Sequence, residues 1–243
     1  MPTLNIGCSG FSYDDWKGIF YPEHLQKKRW LEYYAEKFST VELNVTFYRL
    51  PEKETFTRWY SETPPGFLFS VKGSRFITHV KKLKACEEPL NVFFSRVSAL
   101  RDKLGVILWQ LPPGLRVDPP RLADFLELLK PHDVRSAFEF REETWITKKV
   151  ISLIEKGKAS LCMADWPPFL DELPVPANFV YMRRHGVGGN YASSYTREQL
   201  KGDAARIRKY LKQGKDVFIY FNNDASGYAP ANAGELLTLL KNI

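Results

Sequence analysis

Thr40-Val-Glu-Leu-Asn-Val-Thr-Phe-Tyr-Arg-Leu-Pro51 carries two side-chain parities of different chemistry. Read as a strand, it places Val41, Leu43 and Val45 on one face and Glu42, Asn44 and Thr46 on the other. The stretch lies between segments of helical periodicity, so both of its faces are expected to be covered and the polar one to line an interior. A carboxylate and an amide placed there need partners, because an unpaired buried charge is costly. Other strands have to supply them.

Working outward, short apolar runs alternate with helical stripes along the whole chain. Strands are expected at residues 4–8, 67–71, 106–111, 136–140, 159–164, 178–183 and 217–221. Between them, Trp30, Leu31, Tyr34 and Phe38 recur at helical spacing, as do Leu90, Phe93, Phe94 and Val97, and then Ile146, Val150, Leu153 and Ile154. Asp118 before Pro119-Pro120 is an N-cap signal, and Thr196 with Gln199 reads as a capping box. A proline-broken segment follows the sixth strand, through Pro176. Eight strands in 243 residues, with no linker-like break in composition, predict one α/β domain over the whole chain, a (β/α)8 TIM-type barrel. An open doubly wound sheet has the same periodicity and is the structural alternative.

Applied to each strand in turn, the parity argument gathers polar groups on one face. Ser70 pairs in parity with Lys72, Glu139 with Arg141, and Tyr220 with Asn222, while Tyr181, Arg183 and His185 fall together. Phe138 and Phe140 take the opposite face from Glu139, and Gln110 and Asp165 stand at the ends of their strands. Groups late in parallel barrel strands collect at the C-terminal mouth, where substrate sites are built. Glu139, Asp165 and Glu42 are thus the candidate acid–base carboxylates, with Glu42 the most structural of the three because it comes earliest in its expected strand. Lys72, Arg141, Arg183 and His185 form a candidate anion clamp, since a guanidinium fork holds phosphate or carboxylate. Tyr13, Asn44, Tyr48, His79, Gln110 and Asn222 complete the expected binding set. Tyr13, Trp16, Phe47, Tyr48 and Trp109 are candidate stacking surfaces. A self-satisfied ion-pair network that only fixes the barrel is the competing reading of the same charges.

The net charge of +7 favours anionic partners, either small molecules or nucleic acid. Basic side chains cluster from Lys72 through Arg75, His79, Lys81, Lys82 and Lys84, and Gly186-Val-Gly-Gly-Asn190 is a candidate anion loop after the seventh strand. Three isolated cysteines, Cys8, Cys86 and Cys162, argue against a disulfide framework and suit a reducing, cytoplasmic setting. No apolar run approaches membrane-spanning length. The four histidines lack metal-ligand spacing, so no metal ligand is assigned, and no motif identifies a cofactor. P-loop, dinucleotide-fold and nucleophile-elbow signatures are absent.

Several stretches together resemble the domain of unknown function 72 family, also called YecE-like. They are Gly7-Cys-Ser-Gly-Phe-Ser-Tyr13 with Asp15-Trp16 and Phe20-Tyr-Pro22, the quoted stretch 40–51, Phe69-Ser-Val-Lys72, and Ile77-Thr-His79. Gln110-Leu-Pro-Pro113, Phe138-Glu-Phe-Arg141 with Trp145, and Tyr220-Phe-Asn-Asn223 with Asn232-Ala233 continue the match over nearly the whole chain. The resemblance implies a TIM-type barrel, similar in outline to endonuclease IV and xylose isomerase, and by that analogy phosphodiester or sugar chemistry. The chain lacks the histidine-rich set of a multi-zinc nuclease. Two expectations follow. One is an enzyme, a hydrolase or an isomerase or lyase, using a carboxylate acid or base on a phosphate-bearing or sugar-like substrate; the other is a noncatalytic binder of nucleic acid or another anion.

Overall fold

The computed structural model describes residues 1–241. Eight parallel strands stand in the order β1-β8-β7-β6-β5-β4-β3-β2. They are β1 (Leu4–Cys8), β2 (Thr40–Leu43), β3 (Leu68–Lys72), β4 (Leu104–Gln110), β5 (Arg135–Glu139), β6 (Ser160–Ala164), β7 (Phe179–Arg184) and β8 (Asp216–Phe221). Helices α1 (Trp30–Lys37), α2 (Val45–Tyr48), α3 (Lys53–Ser61), α4 (Glu87–Val97), α5 (Pro119–Leu129), α6 (Lys148–Lys156), α7 (Arg197–Lys212) and α8 (Tyr228–Leu240) connect or follow them. The arrangement is a nearly closed (β/α)8 barrel, as the alternation predicts.

The seam lies between β1 and β2. At their C-terminal ends Ser9 bridges to Glu42, and Gly10 N donates to Glu42 O at 2.7 Å. Lower down, the Tyr34 hydroxyl from α1 fills the gap, accepting from Cys8 N at 2.7 Å and donating to Thr40 O at 3.0 Å. These backbone groups would otherwise lack ladder partners. A side chain at Gly7 would collide with the Thr40 carbonyl, so glycine is required for this close approach.

Strand parity sorts the apolar residues into two cores. Val106, Leu108, Ala137, Cys162, Phe179 and Phe218 pack inside the barrel. Val41, Phe69, Ile107, Trp109, Phe138 and Met182 pack outward against the helices. Tyr220 links the interior polar layer, its hydroxyl lying 2.7 Å from Thr40 Oγ1 and 2.8 Å from Ser70 Oγ.

Two expectations need correction. The quoted stretch is not one strand: β2 stops at Leu43 and the chain turns into α2 at Val45. The Thr46 hydroxyl donates to Lys72 O at 2.6 Å, holding the helical turn against the end of β3. Val45 is consequently half exposed rather than facing the sheet, and Glu42 stands late in its strand rather than early. Trp109 is no stacking surface at the mouth, because it is fully buried on the outer face of β4 between Phe93 and Phe125. Trp16 is likewise fully buried, against Tyr13, Phe20 and Tyr21.

The capping box forms as read, with Gln199 N donating to Thr196 Oγ1 at 3.3 Å and Thr196 N donating to Gln199 Oε1 at 2.9 Å. Thr196→Ala removes one acceptor for an otherwise free helix N–H, and a loss of ~1 kcal/mol is expected by urea denaturation. An unchanged midpoint would mean that water serves the helix end equally well.

Candidate functional site

Barrel closure brings the polar parity of the strands to one place. At its centre Arg183 of β7 is wholly buried. Its Nη2 donates to Glu42 Oε1 at 2.9 Å and its Nε lies 3.1 Å from Glu42 Oε2. Its Nη1 donates to Glu139 Oε2 at 2.9 Å and to His185 Nε2 at 3.0 Å. Glu42 also accepts from Ser9 Oγ at 2.5 Å and from the Tyr181 hydroxyl at 2.7 Å. All three guanidinium nitrogens of Arg183 are therefore engaged by the protein, with four of the five N–H donors placed on Glu42, Glu139 and His185.

Arg141, just beyond β5, differs. Its Nη2 pairs with Glu139 Oε1, and its guanidinium lies 3.9 Å from the Trp166 ring centre. Its Nε and Nη1 are buried and have no hydrogen-bond partner within 3.5 Å among the described residues, the Tyr191 side chain bordering the same cavity close to the guanidinium. Lys72, at the end of β3, rests its ammonium 4.4 Å from the Phe47 ring centre and forms no ion pair among the described residues.

These groups surround a cavity of about 340 Å³ at the C-terminal mouth. Lys72, Arg75, Arg141 and Arg183 line it, together with Phe47, Tyr48, His79, Gln110 and Trp166. Gln110 sits beside Glu139 in the β4–β5 register.

Burial alone would raise the Glu42 and Glu139 carboxyls. For Glu42 the Arg183 charge and the Ser9 and Tyr181 hydroxyls outweigh burial; for Glu139 the charges of Arg141 and Arg183 do so, and both groups end below the usual carboxylate range. Lys72 moves to about 8, chiefly by burial and then by repulsion from Arg183. Burial, followed by the charge of Lys72, takes His79 down to about 4. His185 also falls to about 4, through burial and the Arg183 charge. It is therefore neutral near pH 7: Nε2 accepts from Arg183, so Nδ1 carries the proton and faces Asp165 Oδ1 at 3.4 Å.

The expected site residues thus divide. Lys72, Arg141, Arg183, Tyr48, His79 and Gln110 line the cavity, with Glu139 beneath its arginines. Glu42 lies deeper, behind Arg183. Asp165 and His185 do not line it; Asp165 is held by His185 N at 2.7 Å and by the Tyr195 hydroxyl. Tyr13 and Asn44 line a separate cavity of about 690 Å³ floored by Phe11, Leu31 and Leu43, and Tyr48 borders both. Asn222 lines neither, and its backbone N–H donates to Arg184 O at 2.6 Å. The Gly186–Asn190 loop folds on itself, with Gly189 N donating to Gly186 O at 2.7 Å.

The family model described as "Protein of unknown function DUF72" matches residues 5–243. The chain belongs to this family. UPF0759 protein YunF of Bacillus subtilis is 26% identical to this DUF72 chain, over 98% of it and 94% of YunF. A DUF72 family protein from Thermotoga maritima, solved by crystallography, superposes with a TM-score of 0.86 at 28% identity, over 98% of this chain and 99% of that one. D-psicose 3-epimerase from Clostridium cellulolyticum shares the barrel fold at a TM-score of 0.59 and 10% identity, over 98% and 99% of the two chains.

Two charged groups of this DUF72 barrel escaped the parity reading. Arg184 faces the helices, donating to Asp203 at 2.8 and 2.6 Å and to Asp171 at 2.7 Å. Asp224, after β8, has a buried Oδ1 with no partner among the described residues, and burial pushes its carboxyl up to about 7. The Asn222-Asn223-Asp224 run at a strand end was the available signal for Asp224; nothing local marked Arg184. Among the described residues no three His, Cys, Asp or Glu side chains converge as a metal site, and no helix is long and apolar enough to cross a membrane.

Proposed function

We propose that the barrel mouth is an active site for a small, sugar-sized molecule bearing a phosphate or carboxylate group. Arg141 anchors the anion in this reading, Lys72 exchanges a proton near neutral pH, and Glu139 fixes the two guanidiniums. The observation that carries it is the pair of buried, unpartnered donors on Arg141. A buried donor without a partner is costly, and a charge-assisted bond from a ligand oxygen would satisfy it. Four cationic side chains line the cavity against the two carboxylates of Glu42 and Glu139, which supports an anion rather than a cation as occupant. Glu139 is a poor proton donor here, since its neighbours hold it ionised. That moves the titrating role to Lys72.

Calorimetry with sulfate, whose charge is constant across the neutral range, tests the anchor. Hydrogen bonds to charged groups contribute about 1.5–3 kcal/mol, so Arg141→Ala should weaken sulfate binding by roughly 10- to 100-fold. Affinity for the wild-type protein should also fall as pH rises through about 8, where Lys72 loses its charge. Equal affinity in both proteins would sink the reading. Single-stranded oligonucleotide binding that survives Arg141→Ala, without sulfate binding, would instead favour the noncatalytic nucleic-acid binder.

A further inference from the structure

We propose that Lys72 is a nucleophilic amine that forms an imine with the carbonyl carbon of an anionic aldehyde or ketone seated in the mouth. The inference rests on the anion-binding reading for the placement of that substrate. Of the side chains lining the cavity, only Lys72 carries a primary amine, and no thiol or serine hydroxyl lines it. Its ammonium packs on the Phe47 ring at 4.4 Å rather than against a carboxylate. Glu42 and Glu139, the carboxylates that would otherwise hold it, are committed to Arg183 and Arg141. A lysine engaged in an ion pair is locked in its protonated form; this one is not.

The surroundings favour the free amine. Burial and the positive charges of Arg183 and Arg141 disfavour the ammonium, against the opposing pull of Glu139 and Glu42, and the balance leaves Lys72 at about 8. His79, the other titratable base on the cavity wall, is neutral and hydrogen-bonded at Nδ1 to Thr78 Oγ1 at 2.9 Å. An anion fixed on Arg141 would present a neighbouring carbonyl to the amine within the same 340 Å³ cavity. The Lys72 nitrogen lone pair attacks the carbonyl carbon, a C–N bond forms, and the π electrons move to oxygen, which takes a proton. The nitrogen gives up one proton to form the neutral carbinolamine; a second proton on its hydroxyl lets the C–O bond break and water leave as the nitrogen lone pair forms the C=N bond of the iminium, whose remaining N–H proton is released to give the imine. Amine and carbonyl compound become imine and water, with no change in oxidation state. The iminium so formed is an electron sink, suited to cleavage or isomerisation next to the former carbonyl.

The test uses the full chain with two probes, glycolaldehyde phosphate and glycolaldehyde, each with cyanoborohydride to reduce any imine to a stable secondary amine. Peptide mass mapping gives the rate at each lysine. Lys72 should be labelled about tenfold faster than any other lysine by the phosphate-bearing probe, and about tenfold faster by that probe than by glycolaldehyde. The preference for phosphate should vanish in Arg141→Ala. Sulfate binding with Lys72 labelled no faster than exposed lysines overturns the imine and leaves the anion reading standing. Fast labelling of Lys72 by both probes alike, with no sulfate binding, overturns the anion reading and with it the anionic substrate class, while the amine's reactivity stands.

Discussion

Arg183→Met is expected to lose ~3–5 kcal/mol of folding stability at neutral pH, the range for breaking a buried ion pair from one side. The reason is arithmetic of charge. Arg183 lies between two fully buried carboxylates, with Glu42 on its Nε and Nη2 and Glu139 on its Nη1. Removing it leaves Glu42, among the described residues, with the Ser9 and Tyr181 hydroxyls as its remaining side-chain hydrogen-bond donors. The pH dependence follows from the direction of the shifts. In the wild-type protein both carboxyls are lowered, so their contribution is present above the unfolded value of about 4.3 and is lost as pH falls through the lower folded values. In the variant burial dominates at Glu42 and raises it, while Glu139 keeps Arg141, so the penalty is largest near neutrality and shrinks as Glu42 is protonated on acidification. Urea denaturation at neutral and acidic pH measures this, and adding Glu42→Gln should recover much of the loss at neutral pH. A cost under 1 kcal/mol, or one independent of pH, would show that the network does not hold the barrel. Because the side chain holds two buried carboxylates, loss of anion affinity in an Arg183 variant would be inseparable from misfolding; Arg141 is the better probe.

A loss of similar size, ~3–5 kcal/mol, is expected for Arg184→Met, but with sulfate affinity unchanged. Arg184 is buried on the opposite face of β7, where it ties the barrel to α7 through Asp203 and reaches Asp171 after β6. Arg206 completes the network, donating to Asp203 at 2.7 Å and to Asp171 at 2.9 Å. Arg206 is already committed to both carboxylates, so the almost wholly buried Asp203 still loses both of its bonds from Arg184. Denaturation together with calorimetry on the folded variant separates the two arginines. If Arg184→Met weakens sulfate binding as much as Arg141→Ala does, the two faces of β7 are coupled and the cavity is not the independent unit described above.

Adjacent arginines with opposite duties show where a sequence reading stops. Period-two parity put Arg183 with His185 and Tyr181 on the interior face, and the structure places all three there. Arg184, one residue on, drew no assignment from that reading, since its partner Asp203 lies in the next helix and nothing local pointed to it. The quoted stretch misled beyond Leu43, because a strand and the first turn after it can carry the same alternation. The chain turns there with the Thr46 hydroxyl donating to the end of β3 and the Phe47 and Arg49 N–H groups closing the helical turn on Asn44 O and Val45 O.

What the sequence determined by itself was the alternation of strands and helices, and with it the barrel and the interior face that carries Glu42, Lys72, Glu139 and Arg183. Those are local properties, since side-chain direction in a strand depends only on position parity. Which carboxylate meets which guanidinium was decided by closure, which sets the distance between residues as far apart as Glu42 and Arg183. Protonation was decided there too: His185 is neutral, Glu139 stays ionised and Lys72 titrates near neutrality because burial and neighbouring charge, not residue type, set each balance. The same assembly engaged all three guanidinium nitrogens of Arg183 and left Nε and Nη1 of Arg141 without a partner among the described residues, a difference that two arginines at equivalent strand ends do not reveal in one dimension.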